Sequence, residues 1–258
     1  MNKLYTKSEI WFAIIFIIIY IVGASVCDYL SELVNISKVF TFPFLLALSL
    51  VLFFWIKKNN LMQKYGLCKP HFSAKRFLFY IPLFILISTN VWFGVKLNYN
   101  FLESLLNVLS MLCVGFAEEM IFRGFLFKAM EKDSVKAAVI VSSVTFGIGH
   151  LINLLSSGVD NLLPNICQVL YATAVGFLFV IMFYKGGSLI ACILTHSLVN
   201  ALSIFQNIVA VQGVNEILVS IAIIIVAVVY SLVLLKTLKA TEQIEVLNND
   251  LEKDKEQH

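Results

Sequence analysis

The chain has 258 residues and a formal net charge of +3, with 60% hydrophobic and only 14% charged residues. Soluble domains are nearer half apolar and a quarter charged, so this composition and a mean hydropathy of +0.89 exclude a soluble globular protein and a disordered chain. The basic residues lie between apolar runs rather than in one patch, so the positive charge does not indicate a nucleic-acid partner.

Eight apolar segments predict eight transmembrane helices, because each is near the ~20 residues that cross ~30 Å of hydrocarbon. Open strands are excluded there, since lipid cannot satisfy their backbone polar groups. We therefore predict an all-α, polytopic membrane protein with one integral-membrane domain, residues 1–258. We expect three spans in 1–100, the helices that carry the polar residues described below in 101–206, and a cytosolic tail in 236–258. The segments are residues 10–27, 39–56, 77–95, 101–127, 135–156, 162–184, 187–206 and 214–235.

The distribution of lysine and arginine predicts the orientation of these spans. If the N-terminus is cytosolic and the spans alternate, 17 of the 19 basic residues fall on the cytosolic side, and only Lys38 and Lys96 fall outside. The loop 57–76 alone carries six basic residues and no acidic one. The positive-inside rule therefore predicts a multi-pass protein of the cell membrane with both termini in the cytosol.

Three of the spans contain polar residues that hydrocarbon disfavours. A charged side chain in mid-helix costs about 2.5–3.5 kcal/mol and normally faces a cavity or a partner. At about 1.5 Å per residue the carboxylates and the second histidine lie roughly 14 Å from the inner ends of their spans, so we expect one pocket that opens to the cytosol. These residues are Glu118, Glu119 and Arg123 in the fourth segment, His150 in the fifth, and His196 with Asn200 in the seventh.

Helical spacing groups these residues further. Glu119 and Arg123 are four residues apart and can pair on one face, and the same spacing holds for His196 and Asn200. In the fifth segment two glycines, at positions 147 and 149, precede His150, and we expect a neighbouring helix to pack closely against both.

The residue types indicate hydrolysis by an activated water. A carboxylate beside an imidazole can hold a water and act as its general base, and a second histidine with an amide can stabilise an oxyanion. Ser197 adjoins His196 but points about 100° round the helix, so no serine is placed as a nucleophile. Direct attack by water is favoured over an acyl-enzyme.

A metal centre is the competing arrangement. Glu118, His150 and His196 could supply three zinc ligands and leave one open position, as catalytic zinc sites do. The H-E-x-x-H signature is absent, and the five cysteines form no C-x-x-C pair. The ligand types therefore permit zinc without requiring it.

Three separated motifs resemble those of the CAAX protease and bacteriocin-processing family of intramembrane endopeptidases, over roughly residues 100–205. The Gly-Ser-Leu sequence at 187–189 is also similar to that family. The motifs are Glu118-Glu119-x-x-x-Arg123, Phe146-x-x-x-His150 and His196-x-x-x-Asn200.

The resemblance implies eight helices around a cytosol-open cavity and peptide hydrolysis near the membrane. It implies that Glu118 is the base, that His150 binds the water, and that His196 and Asn200 stabilise the oxyanion. It assigns supporting roles to Glu119, Arg123 and Phe146. The family is often labelled metalloprotease, but we favour a metal-free site.

Relatives in this family suggest a peptide or lipid-modified peptide substrate at the membrane lipid. Eukaryotic members trim prenylated tails, and bacterial members are linked to bacteriocin maturation or self-immunity. The short chain suggests a prokaryotic source. Two other functions stay open: a non-catalytic immunity or scaffold protein that binds in the membrane, and, less favoured, a proton-coupled transporter.

Overall fold

The computed structural model describes residues 1–152 and 162–238. The predicted tail beyond residue 238, and residues 153–156 of the fifth predicted span, lie outside the described residues. Within the described ranges the regular elements are helical, and one isolated antiparallel bridge joins Val95 to Gln206. The predicted all-α fold is therefore confirmed.

Ten α-helices follow one another along the described part of the chain. The helix Phe101–Glu118 continues directly into a π-helix, Glu119–Phe127, and a last turn, Lys128–Met130. The helices are α1 (Asn2–Lys7), α2 (Glu9–Leu33), α3 (Thr41–Lys58), α4 (Ile81–Ser88), α5 (Phe101–Glu118), α6 (Val135–Gly149), α7 (Leu162–Gly186), α8 (Ile190–Ser203), α9 (Ile208–Val211) and α10 (Val214–Thr237).

Six helical stretches in the described ranges are long and apolar enough to cross a membrane: Glu9–Leu33, Thr41–Lys58, Ala74–Val91, Phe101–Met130, Leu162–Gly186 and Val214–Thr237. The other two predicted spans form the shorter apolar helices α6 and α8, of 15 and 14 residues. At 1.5 Å per residue these reach only about 21–22 Å, less than the ~30 Å hydrocarbon core. The chain is thus a multi-pass membrane protein, and eight complete crossings stay a prediction.

The third predicted span is not a continuous α-helix. A 3₁₀ stretch, Ala74–Tyr80, precedes α4, and Leu78, Phe79 and Tyr80 have positive φ angles of 50°, 51° and 60°. Pro82 then lies in the first turn of α4, where its missing N–H costs no helical hydrogen bond. A short 3₁₀ turn, Thr89–Val91, extends this element to the opposite end of the bundle.

Close approach at glycines positions the two short helices. A Cβ atom on Gly115 would lie 2.6 Å from the backbone nitrogen of Ser197, so the backbones of α5 and α8 approach closely at this point. A Cβ atom on Gly147 would lie 2.9 Å from the carbonyl oxygen of Val169 in α7. The predicted close packing is therefore confirmed at Gly147, but it is wrong at Gly149, whose Cβ position has no atom of residues 1–152 and 162–238 within 4 Å.

Candidate active site

The acidic motif begins where α5 changes into the π-helix. Glu119 pairs with Arg123 through Oε1 and an Nη1 atom 3.1 Å away, and both side chains are 0% exposed. The pairing at this spacing was predicted, whereas the π-helix was not. π-Helical turns are rare and occur often at functional sites, because they change which side chains face a neighbouring helix.

Arg123 is buried among aromatic rings on the far side of this pair. Its guanidinium carbon lies 4.0 Å from the centre of the Phe146 ring and 5.8 Å from that of Phe179. A cation over an aromatic face is attracted by the ring quadrupole, more so where water is excluded. The charge of Glu119 is therefore balanced by a cation that is held in place.

His196 connects the two glutamates. Its Nδ1 atom lies 2.8 Å from Oε1 of Glu119 and its Nε2 atom 3.5 Å from Oε2 of Glu118. Because a carboxylate at this distance accepts a proton, Nδ1 is the donor to Glu119, and Nε2 faces Glu118. The contact between Gly115 and Ser197 brings the histidine to this position, one residue earlier on α8.

Glu118 differs from its neighbour in having no arginine partner. The hydroxyl of Tyr20, on α2, donates a hydrogen bond to Oε1 of Glu118. The Oε2 atom is buried and has no hydrogen-bond partner within residues 1–152 and 162–238. Since the residue is only 9% exposed, this oxygen is an acceptor aimed into the protein interior. Oε2 of Glu119 is likewise buried without a partner in the described ranges, so the two glutamates differ in that only Glu119 is paired with an arginine.

His150 lies directly after the end of α6. Its Nδ1 atom lies 3.0 Å from the carbonyl oxygen of Phe146, which can only accept, so Nδ1 carries the proton. In the neutral ring, Nε2 then presents a lone pair. The ring of Phe146 lies between the two histidines, with centroids 5.1 Å from His150 and 5.6 Å from His196.

Two cavities meet at these residues. The histidine cavity, of about 340 Å³, is lined by His150, His196 and Asn200, and the glutamate cavity, of about 310 Å³, by Tyr20, Glu118, His150 and Asn200. The residues common to both are Phe146, His150, Gln168, Asn200 and Ser203. The side chains predicted from three spans therefore line two neighbouring cavities that share these five residues.

Asn200 and Ser197 both lie on α8 near His196, but only Asn200 was predicted to belong to the site. Asn200 lies one turn after His196 on α8 and lines both cavities, in line with the predicted spacing. Ser197 points away from them, because its hydroxyl donates to the carbonyl oxygen of Leu112 at 3.1 Å. Its position agrees with the expectation that it is not a nucleophile.

The predicted opening of the pocket to the cytosol is not supported by the cavities. Beyond the site, the glutamate cavity is lined by Asp28 and Lys38, and the histidine cavity by Asn90 and Glu216. These residues lie at the helix ends opposite the loop 57–76. The prediction used only the depth of each residue below the inner end of its span. That depth does not determine toward which side of the membrane the unfilled space between the helices extends.

The zinc alternative lacks a grouped set of ligands in the described part of the chain. Among residues 1–152 and 162–238, no three His, Cys, Asp or Glu side chains are placed to hold one metal ion. Glu118, His150 and His196 nevertheless line the two neighbouring cavities. The Nδ1 atom of each histidine contacts an oxygen acceptor, which leaves Nε2 available to a water or to a metal alike.

Residues 98–202 match a family model described as type II CAAX prenyl endopeptidase Rce1-like. This segment is therefore similar to the Rce1-like family. The match covers about two fifths of the chain and includes all three motifs. No curated protein and no solved structure matches the chain significantly. The Rce1-like family is one of endopeptidases, so the match supports a protease in a membrane protein.

Tyr20 is the residue that the sequence analysis missed. It lies outside the Rce1-like segment, in an apolar helix where one tyrosine resembles ordinary packing. The signal that could have singled it out is a hydroxyl in mid-span, since a buried tyrosine O–H usually finds a partner. The partner itself could not be deduced without the helix arrangement.

We expect Tyr20→Phe to lower kcat by about 10- to 100-fold with little change in KM. A hydrogen bond to a charged group contributes about 1.5–3 kcal/mol, and the phenylalanine ring keeps the packing. Steady-state kinetics on a peptide substrate measures the effect. Tyr29→Phe is the matched control, because Tyr29 is on the same helix and 60% exposed. An unchanged kcat would show that the contact with Glu118 does not serve the reaction.

Proposed function

We propose that the chain is an intramembrane endopeptidase in which Glu118 activates a water for attack on a peptide bond. The observation that carries the proposal is the pair of neighbouring cavities, one lined by Glu118 and the other by His196, which have His150 and Asn200 in common. The Rce1-like match over the same helices supports the reaction class.

Charge balance separates the roles of the two glutamates. Glu119 is paired with Arg123 and accepts a hydrogen bond from Nδ1 of His196, so it orients the ring. Glu118 has no arginine beside it, and its Oε1 atom accepts a hydrogen bond from Tyr20. Glu118 is therefore the general base, a role worth about 10²–10⁴ in rate.

The reaction then proceeds in two balanced steps. The lone pair on Nε2 of His150 accepts a hydrogen bond from the water while Glu118 takes its other proton, and the water oxygen bonds to the scissile carbonyl carbon. Asn200 donates to the oxyanion that forms. His196 donates to it from Nε2 as an imidazolium, because the proton on Nδ1 is already shared with Glu119. The carbon–nitrogen bond breaks when Glu118 returns the proton to the leaving amine.

The substrate we propose is a peptide, or a lipid-modified peptide, presented at the membrane. Bacteriocin maturation or self-immunity is a setting suggested by the family resemblance. Trapping tests the proposal: Glu118→Gln is expressed beside the wild type, and membrane peptides are compared by mass spectrometry. A peptide that accumulates uncut with the variant and is cut by purified wild-type protein supports it. Equal peptide profiles contradict it.

We also propose that hydrolysis needs no metal. The support is that no three His, Cys, Asp or Glu side chains among residues 1–152 and 162–238 are grouped to hold a metal ion, whereas Oε2 of Glu118 has no partner there and can accept from a water. We expect chelators such as EDTA and phenanthroline to leave the rate on the trapped peptide within twofold of the untreated enzyme. Elemental analysis of the active protein is the second measurement. Loss of activity that returns on addition of zinc would overturn this part of the account.

A further inference from the structure

The helix bundle has two chemically different faces. The lysine-rich face contains residues 1–8, 57–76, 128–136, 184–188 and 236–238, and the lysine-poor face contains 34–40, 92–100 and 204–213. Contacts assign each loop to its face: Lys64 and Lys132 both reach Glu9, each at 2.9 Å. On the other face the backbone N–H of Lys96 donates to Phe205 at 2.8 Å.

Lys64 on the lysine-rich face keeps its positive charge although it is partly buried. Burial alone would lower the pKa of Lys64, but hydrogen bonds to Tyr5 and Glu9 outweigh it and raise that pKa above its usual value. In the described ranges Lys38 and Lys96 are the basic residues of the lysine-poor face. The positive-inside rule therefore assigns the lysine-rich face to the cytosol.

Both site cavities extend from the catalytic residues to the lysine-poor face. The glutamate cavity reaches Asp28 and Lys38, which form an ion pair at 2.7 Å. The histidine cavity reaches Asn90 and Gln206, whose side-chain amides bond to each other at 3.3 Å. Polar groups thus line the space from the site to this face, as a hydrated passage requires.

On the opposite side of the site, aromatic rings fill the interior. Phe125, one turn beyond Phe122, lies 5.0 Å from Phe12, 6.0 Å from Trp55 and 5.0 Å from Tyr65, centre to centre. All of these rings are at least nine-tenths buried. Such packing separates Glu118 from the lysine-rich face.

A third cavity, the apolar cavity of about 630 Å³, does reach the lysine-rich face. It is lined there by Lys69 and Ser188 and extends along α4 and α8 as far as Thr195, which also lines the histidine cavity. None of Glu118, His150, His196 and Asn200 lines it. Its lining is apolar between these points, so it offers no comparable polar passage for a peptide backbone.

We infer that the site receives water and substrate from the extracytoplasmic side of the membrane, and that its substrate is a peptide segment on that side rather than a cytosolic tail. This rests on the proposed function for the reaction itself. The two cavities are each large enough for a small ligand, and their amide side chains can bond to an extended peptide backbone. The orientation follows from the lysine distribution and the cavities together.

Two serine-to-cysteine substitutions test the inference. Ser203 lines both site cavities, and Ser73 is exposed on the lysine-rich face. Each is changed to cysteine in a variant whose five native cysteines are replaced by serine. A small, charged, membrane-impermeant thiosulfonate is then applied to right-side-out and to inverted vesicles. If the cysteine-free protein does not fold, the gain in labelling over the wild-type background is measured instead.

We expect Ser203→Cys to react at least tenfold faster in right-side-out vesicles, and Ser73→Cys to show the opposite preference. Reaction of Ser203→Cys from the inverted side, or from neither side, would overturn the inference. The same labelling is repeated with Glu118→Gln. Because labelling does not depend on peptide cleavage, a wrong orientation and a wrong peptidase assignment give different results.

Discussion

Glu118→Gln is expected to lower kcat by about 10²–10⁴-fold without unfolding the protein. Glutamine has the same shape and can keep the contact with Tyr20, but it cannot take a proton from water. The loss should appear in kcat rather than in KM, because the side chain acts in the transition state. The measurement is steady-state cleavage of the trapped peptide by purified protein.

The matched control is Glu32→Gln, which makes the same chemical change at an exposed position. It should leave both kcat and thermal unfolding unchanged. If Glu118→Gln retained the wild-type rate, the assignment of Glu118 as the base would be wrong.

Glu119→Gln is expected to destabilise the fold by about 3–5 kcal/mol, because it leaves the charge of Arg123 buried without a counter-charge. The double variant Glu119→Gln/Arg123→Met removes both charges and should recover most of the lost stability. Thermal or denaturant unfolding in detergent measures both. Activity should stay low in the double variant, since the carboxylate that orients His196 is still missing.

Two outcomes would contradict this account of the buried pair. One is a Glu119→Gln protein as stable as the Glu32→Gln control. The other is a double variant that regains stability and full activity together, because the contact between Glu119 and His196 would then have no role in the reaction.

The sequence was most informative where a charged or polar residue lies within an apolar span. Charged residues in an apolar span must have partners, so the pairing of Glu119 with Arg123 could be predicted from spacing alone. The same reasoning predicted that His150 and His196 lie close together, and both line the histidine cavity. Six of the eight hydrophobic runs correspond to helical stretches long enough to cross a membrane, and the other two correspond to the shorter helices α6 and α8.

The features that were not predictable depend on how helices lie against one another. Tyr20 contacts Glu118 across 98 positions of chain, and nothing in an apolar helix specifies that register. The π-helix adds hydrogen-bonding geometry that an α-helical spacing does not reveal. The cavities also depend on which face of each helix is left unpacked, and for this reason the cytosolic opening could not be judged from depth.

A double-mutant cycle between Glu118 and His150 tests most directly whether the two side chains act on one water. The variants are Glu118→Gln, His150→Ala and the two combined, each assayed for kcat on the trapped peptide. Residues that serve a single step give non-additive losses. We predict that the double variant is about as slow as the slower single variant, whereas losses that multiply would contradict a shared water.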